Sequence, residues 1–234
     1  MKTTIQDKTS LVNSVFSKVH KKYDLMNDIM SLGVHRIWKN KLIEWINPQL
    51  NDNLIDVASG TGDVAKIFST KNNHSNQIDC VEPNEEMYCA GKINLKKFSN
   101  IKWHKAMAEN LPFNDNVYDF YTISYGIRNV SNINLSLKEA FRVLKPGGRF
   151  MCLEFSKINN EIINLFYQKY SKAIPFVGKY MVGSSKPYDY LIKSINEFYT
   201  QEELVNLMKE NGFSNIEYRN LSCGISAIHS GWKI

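Results

Sequence analysis

The sequence predicts an α/β domain built on a mostly parallel sheet with helices on both faces. Three observations carry this reading. From Asn53 onward, short apolar runs alternate with helical segments. The first run enters a glycine-containing turn that opens directly into a helix, and a Lys145-Pro146-Gly147-Gly148 break separates an apolar helix stripe from a later run. At 234 residues the chain is long enough for one well-buried domain with decorations and too short for two full-sized ones.

The elements follow in order. Residues 1–50 read as a helical extension: Val12, Val15, Phe16 and Val19 fall at helical spacing, Gly33 breaks the pattern, and a second helix runs from about Arg36 to Ile46 before Pro48. Residues 53–156 form the core, with strands expected at Leu54 to Ala58, Ile78 to Val81, Val117 to Ile123 and Arg149 to Phe155. Leu137, Ala140, Phe141 and Leu144 make a helix stripe that ends at the proline and paired glycines. Residues 157–200 are an aromatic and lysine-rich insertion that caps the site. In residues 201–234 a helix near Leu204, Leu207 and Met208 leads to Gly212, and Phe213 to Tyr218 with Gly224 to Trp232 read as two strands in hairpin relation.

Composition excludes several classes. With 43% hydrophobic and 22% charged residues, the chain is neither disordered nor fibrous. Its longest apolar runs, such as Phe150 to Leu153, fall far short of the roughly 18 residues that a membrane span needs. The formal charge of +6 suits an anionic neighbour, phospholipid or nucleic acid, or else a solvated lysine-rich surface. Cys80, Cys89, Cys152 and Cys223 form no CxxC pair, which argues against a metal site or a disulfide framework and fits a reducing, cytoplasmic setting. The N-terminus shows no apolar segment with a cleavage site.

Leu54-Ile-Asp-Val-Ala-Ser-Gly-Thr-Gly-Asp63 is an apolar strand running into a small-residue turn and then a helix. Gly60 and Gly62 let the backbone approach a ligand closely at the carboxyl end of the strand, where open α/β sheets bind nucleotides. Glu82, twenty positions after Gly62, can accept hydrogen bonds from both hydroxyls of a ribose. Gly60, Gly62 and Ala65 also satisfy the dinucleotide fingerprint, so a nicotinamide-dependent oxidoreductase is a rival reading. Asp56 ahead of the turn, the Leu111-Pro-Phe-Asn-Asp-Asn-Val-Tyr-Asp119 stretch and the Leu-Lys-Pro-Gly-Gly turn together resemble instead the class I, Rossmann-like methyltransferase pattern. That resemblance implies a seven-stranded sheet whose last strand is antiparallel, and S-adenosylmethionine as methyl donor.

Two longer stretches narrow the resemblance. Tyr23-Asp-Leu-Met-Asn-Asp-Ile-Met-Ser-Leu-Gly-Val-His-Arg-Ile-Trp38 and Arg142-Val-Leu-Lys-Pro-Gly-Gly-Arg-Phe-Met-Cys-Leu-Glu-Phe-Ser156 are similar to the two signature segments of the ubiquinone/menaquinone biosynthesis C-methyltransferases. Gly126-Ile-Arg-Asn-Val130, Tyr188-Asp-Tyr-Leu-Ile-Lys-Ser-Ile195 and Gly224-Ile-Ser-Ala-Ile-His-Ser-Gly-Trp-Lys233 resemble the same family. By position the resemblance implies that Thr61, Glu82, Met107, Ala108 and Ser124 bind S-adenosylmethionine, beside Asp56, Gly60 and Gly62. Glu82 replaces the more common aspartate and still reaches ribose hydroxyls. Met107 stands where an asparagine or aspartate usually meets the adenine; a thioether pairs poorly with an amino group and offers packing instead.

The implied reaction is C-methylation of a prenylated benzoquinol or naphthoquinol, with ubiquinone and menaquinone precursors both open and a lean to the former that no residue justifies. A quinol carbon becomes nucleophilic as a ring hydroxyl loses its proton, which calls for a base and a cationic partner near that hydroxyl. Arg128 can stabilise the phenolate and Asn129 can add a hydrogen bond; the proton acceptor is one of Glu154, Asp24 and His35, and Tyr23 can position the ring. The structural alternatives are that Arg128 pairs with a nearby carboxylate, and that His35 with Trp38 packs the extension onto the sheet.

In the insertion, Ile163, Phe166, Tyr167 and Tyr170 share a helix face suited to an isoprenoid tail, while Lys169, Lys172, Lys179, Lys186 and Lys193 suit contact with anionic lipid on the inner face of a membrane. The exposed aromatics are compatible with a homodimer or a place in a quinone-biosynthesis complex. Two further readings compete. A nucleic-acid methyltransferase is disfavoured because neither a Pro-Cys pair nor an Asn-Pro-Pro-Tyr-like run is present. A non-catalytic cofactor-binding partner would bind the methyl donor without turnover.

Overall fold

A computed structural model describes residues 33–158 and 186–234, together with Asp28, Ser31 and Tyr170. The expected helix at Val12 to Val19, the candidates Tyr23 and Asp24, and most of the insertion's aromatic face and lysines lie outside the described residues. Seven strands form one sheet: β1 (Leu54–Val57), β2 (Ile78–Val81), β3 (Ile101–His104), β4 (Tyr118–Ser124), β5 (Leu144–Phe155), β6 (Ser214–Leu221) and β7 (Ser226–Trp232), in the order β3-β2-β1-β4-β5-β7-β6. The five on the β3 side pair in parallel, and β7 is antiparallel to both of its neighbours, as the resemblance implies. Strand order reverses between β1 and β4, so their carboxyl ends open the crevice in which such sheets hold ligands.

The helices are α1 (His35–Ile46), α2 (Asp63–Lys71), α3 (Glu85–Asn94), α4 (Ile133–Val143), α5 (Lys186–Glu197) and α6 (Gln201–Glu210). Their starts are chemically marked. Asn84 and Asn132 each accept a backbone N–H from three residues on, and Thr200 with Glu203 forms a reciprocal capping box on α6. One face of the sheet is covered by α1, α2 and α5, which bring Trp38, Leu42, Phe68, Tyr188 and Leu191 into one buried cluster. The other is covered by α4 and α6, through Leu137, Ala140, Leu204 and Met208.

Two expectations are corrected in detail. The run Ile-Lys-Trp-His is a strand, β3, that the apolar pattern did not announce; as an edge strand it buries none of its four residues fully and carries no continuous apolar signature. The Lys145-Pro146-Gly147-Gly148 stretch does not precede β5 but lies within its first half, as an irregularity between the pairs Tyr118–Leu144 and Phe120–Arg149. Gly147 donates to the Lys233 carbonyl at 2.7 Å. The Lys233 ammonium in turn donates to the carbonyls of Phe141 (2.8 Å) and Leu144 (2.7 Å), closing the C-terminal end of α4.

Aromatic side chains anchor α1 at both ends. At its start the Trp38 indole N–H donates to Ser222 Oγ at 3.1 Å, and its ring meets Phe155 edge-on, 6.3 Å between centroids. At its end the Arg149 guanidinium lies over both Trp45 and Trp232, 5.0 and 4.8 Å from the ring centroids, and donates to the Trp45 carbonyl. Held in this way, α1 keeps one face of its first turns against the start of α2. Among the described residues no helix is long and apolar enough to cross a membrane.

Candidate active site

The chain leaves β1 through Ala58 to Gly62, with Ala58, Gly60 and Gly62 all in the left-handed region. Gly62 has φ +90, and a Cβ there would sit 2.5 Å from Leu95 Cδ1 and 3.0 Å from Trp103, so only glycine lets the turn pack against the end of α3 and β3. The turn is stitched to β2: the Ser59 N–H donates to the Val81 carbonyl at 3.1 Å, and Gly60 N–H to Glu82 Oε2 at 2.9 Å. The other Glu82 oxygen accepts the Asn84 N–H at 3.0 Å. Each oxygen keeps lone-pair capacity for a ribose hydroxyl. Burial pushes the Glu82 carboxyl up to about 7.

Asp56 and Ser124 face the same turn from β1 and β4. Thr122 Oγ1 donates to Asp56 Oδ1 at 2.7 Å, whereas Asp56 Oδ2 and Ser124 Oγ are buried and have no hydrogen-bond partner among the described residues. Burial raises Asp56 to about 7. A buried acceptor and a buried hydroxyl left without partners are costly unless a ligand answers them. The amino acid end of S-adenosylmethionine, with its ammonium group, and its ribose together offer donors of that kind, so the residues present fit that molecule.

Asp56, Gly60, Thr61 and Ser124 thus line a single cavity, and Glu82 borders it through Gly60. Lys39 of α1 and Ser59 line it too; neither stood out in the sequence. Lys39 carries only a periodicity signal, lying one helical turn after His35. Ala108 is buried, but Met107 is 40% exposed and pairs through its backbone with Asn110, outside that cavity. His35 is fully buried; its Nδ1 lies 3.0 Å from Ser31 Oγ and 3.5 Å from Asp28, and burial, helped by Lys39, lowers it to about 4. At neutral pH it is an uncharged packing residue beside Trp38, which favours the structural alternative.

The loop after β4 makes the second half. A Cβ on Gly126 would lie 2.5 Å from the Ala58 Cβ, so the loop nests directly on the β1 turn. One helical turn, Ile127–Asn129, follows. Arg128 and Glu154, read separately as phenolate partner and proton acceptor, are bound to each other as a buried ion pair. Glu154 is therefore not the uncompensated carboxylate that its strand-end position suggests. Arg128 also donates to the Tyr125 carbonyl at 3.1 Å and to Ser194 Oγ at 3.3 Å. Burial nonetheless raises the Glu154 carboxyl against the pull of Arg128, and its Oε2 has no partner among the described residues. Asn129 Oδ1 accepts the Tyr190 hydroxyl at 3.0 Å. Beyond this loop lies a cleft of about 410 Å³ walled by Ile127, Val130, Ile133, Phe198 and Tyr190, with Arg128 at its inner side.

This arrangement has counterparts among known proteins. The model of the ubiE/COQ5 methyltransferase family matches residues 2–233. The protein called ubiquinone/menaquinone biosynthesis C-methyltransferase UbiE in Rickettsia bellii (strain OSU 85-389) is 50% identical over 240 residues, covering 100% of this chain and 96% of its own. Its namesake in Rickettsia prowazekii (strain Madrid E) is 50% identical over 231 residues, covering 96% and 93%. A crystal structure of a SAM-dependent methyltransferase from Thermotoga maritima superposes with a TM-score of 0.66 at 20% identity, covering 94% of this chain and 99% of that one, a likeness of fold. With the glycine turn, the strand-end carboxylates and the Arg128 loop all inside a match that runs nearly end to end, the chain belongs to the ubiE/COQ5 methyltransferase family.

Proposed function

We propose that this chain transfers a methyl group from S-adenosylmethionine to a ring carbon of a prenylated quinol, in ubiquinone or menaquinone biosynthesis as the names of its relatives have it. The observation that carries the reading beyond the family name is the continuity of one loop. Ser124 and Tyr125 line the donor cavity, and Ile127, Arg128, Val130 and Ser131 line the cleft, so a donor reaching into the first lies beside an acceptor in the second. This suits methyl transfer better than hydride transfer, for which the turn's glycines and Glu82 would have sufficed.

S-adenosylmethionine supplies an electrophilic methyl on its sulfonium, so the chain's own task is alignment, exclusion of water and handling of one acceptor proton. Ile127, Val130, Ile133 and Phe198 offer an apolar wall for the ring and the first isoprenoid units. Asn129, its carbonyl held by Tyr190, keeps an amide N–H for the ring oxygen. We assign the hydroxyl proton to Glu154 Oε2: burial raises this carboxyl, which makes it a stronger base than an exposed carboxylate, and Arg128 then remains as a net cation beside the phenolate. Asp56, Gly60, Thr61, Gly62, Glu82, Ala108 and Ser124 hold the donor, with Met107 at its edge. Tyr23, Asp24 and His35 take no part in this scheme.

The tail of such an acceptor resides in a bilayer, and a net charge of +6 suits an anionic one. The test is methyl transfer from labelled S-adenosylmethionine to demethylated benzoquinol and naphthoquinol acceptors, carried in anionic vesicles under reducing conditions. Label in either acceptor is the expected result, and the preferred ring names the precursor. Donor binding without transfer to either would sink the reading in favour of a non-catalytic partner.

A further inference from the structure

Lys39 neither handles the acceptor proton nor meets the ring, yet it lines the donor cavity together with Asp56, Ser59, Gly60 and Ser124. Its side chain is 10% exposed, and its Nζ donates to Asp63 Oδ2 at 2.7 Å. Asp63 is the first residue of α2, immediately after the glycine turn, so the pair sits where the turn meets the helix. Lysine is seldom buried unless paired, and holding its stem here costs side-chain entropy. Packing supplies the position: Trp38 next to it is fixed on Ser222 and Phe155, and Trp45 farther along α1 is fixed under Arg149.

A zwitterionic amino acid group needs an anion for its ammonium and a cation for its carboxylate. The residues that line the cavity offer both kinds of partner: on β1 the Oδ2 of Asp56, which has no hydrogen-bond partner among the described residues, and on α1 Lys39. Lys39 is the only cation among the described residues lining that cavity. An ammonium carries three N–H donors, so Lys39 can keep Asp63 and still donate to a second anion. The N-terminal N–H groups of α2 lie on the same side and favour negative charge there.

We propose that Lys39 binds the methionine α-carboxylate of S-adenosylmethionine, with Asp63 orienting its ammonium, and that this contact is what lets the site prefer the complete donor over sulfonium or thioether nucleosides lacking the carboxylate. This rests on S-adenosylmethionine being the donor. The test is isothermal titration of the full chain with two probes. One is S-adenosylhomocysteine; the other is its decarboxylated analogue, which keeps the adenosine, the sulfur and the amine. The unsubstituted chain is expected to bind the first about 10- to 100-fold more tightly, the range for a charge-assisted hydrogen bond. Lys39→Met is expected to erase most of that preference by weakening S-adenosylhomocysteine alone, and Lys39→Arg to retain most of it. If Lys39→Met melts early because Asp63 is left unpaired, Lys39→Met/Asp63→Asn carries the same comparison. Equal affinity of the unsubstituted chain for the two probes would overturn the proposal whatever the variants do. So would equal weakening of both probes, which marks a purely structural lysine. Failure of the unsubstituted chain to bind either probe would instead overturn the donor assignment, and this inference with it.

Discussion

Replacing Arg128 with methionine is expected to lower the melting temperature by roughly 6–20 °C and to reduce methyl transfer by about 10²- to 10⁴-fold. The stability loss follows from Glu154, a carboxylate with 2% side-chain exposure whose only cationic partner among the described residues is Arg128. Removing one member of a buried pair leaves a charge that water cannot reach, at a cost of about 3–5 kcal/mol. The loss of transfer follows from the loop: without the guanidinium on the Tyr125 carbonyl and Ser194, the turn that carries Asn129 loses two of its ties, and the cleft loses the cation at its inner side. The double variant Arg128→Met/Glu154→Leu separates the two effects. Its melting temperature should recover much of the loss, because apolar isosteres often replace a buried pair without penalty, while transfer stays as low as in the single variant. Calorimetry alongside the transfer assay checks this, and recovery of transfer in the double variant would refute a catalytic role for the pair.

Asp56→Asn is expected to act in the opposite direction on stability, raising that of the ligand-free chain by roughly 2–4 kcal/mol at neutral pH while weakening the hold on the donor. Burial lifts Asp56 from 3.8 to about 7 in the folded chain. The folded state therefore binds a proton that the unfolded chain releases, so this group's contribution falls as pH rises from about 4 to about 7, and its full cost persists above that. Asparagine keeps an acceptor for the Thr122 hydroxyl and carries no charge. The gain should thus be complete above about pH 7 and fade toward pH 4, which thermal melts across that range would display. In titration with S-adenosylhomocysteine the variant should bind about tenfold or more weakly, since a neutral amide meets the ligand ammonium less well than a carboxylate. A melting curve that does not move, or moves equally at all pH values, would mean that Asp56 is not carrying a buried charge.

Much of this architecture is legible in the sequence because of where the strands lie. Leu54–Val57 is buried at every position, and Ile78–Val81 at all but one, so runs that are apolar but for one aspartate each announce them. The edge strand Ile101–His104 lacks that signal. The donor turn is readable because local constraints dictate it: Gly62 has no room for a side chain, and Glu82 follows at the end of the next strand. What the sequence conceals is tertiary. The Arg128–Glu154 pair joins residues 26 apart, and depends on the loop after β4 folding back across the end of β5. Lys39 precedes the core and reaches the donor cavity only because α1 is clamped through Trp38 and Trp45. His35, legible as a titratable group near a signature segment, proves to be buried against its own segment at Ser31, and burial with the nearby Lys39 keeps it neutral.

The central claim, transfer to a ring carbon of the reduced acceptor, is tested most directly by supplying the chain with donor labelled at the methyl carbon and reading the product by carbon NMR, with the acceptor given separately as quinol and as quinone. An aryl-methyl resonance is expected from the quinol and none from the quinone, because only a deprotonating ring hydroxyl makes the carbon nucleophilic. A methoxy resonance, or equal labelling of the oxidised ring, would contradict it.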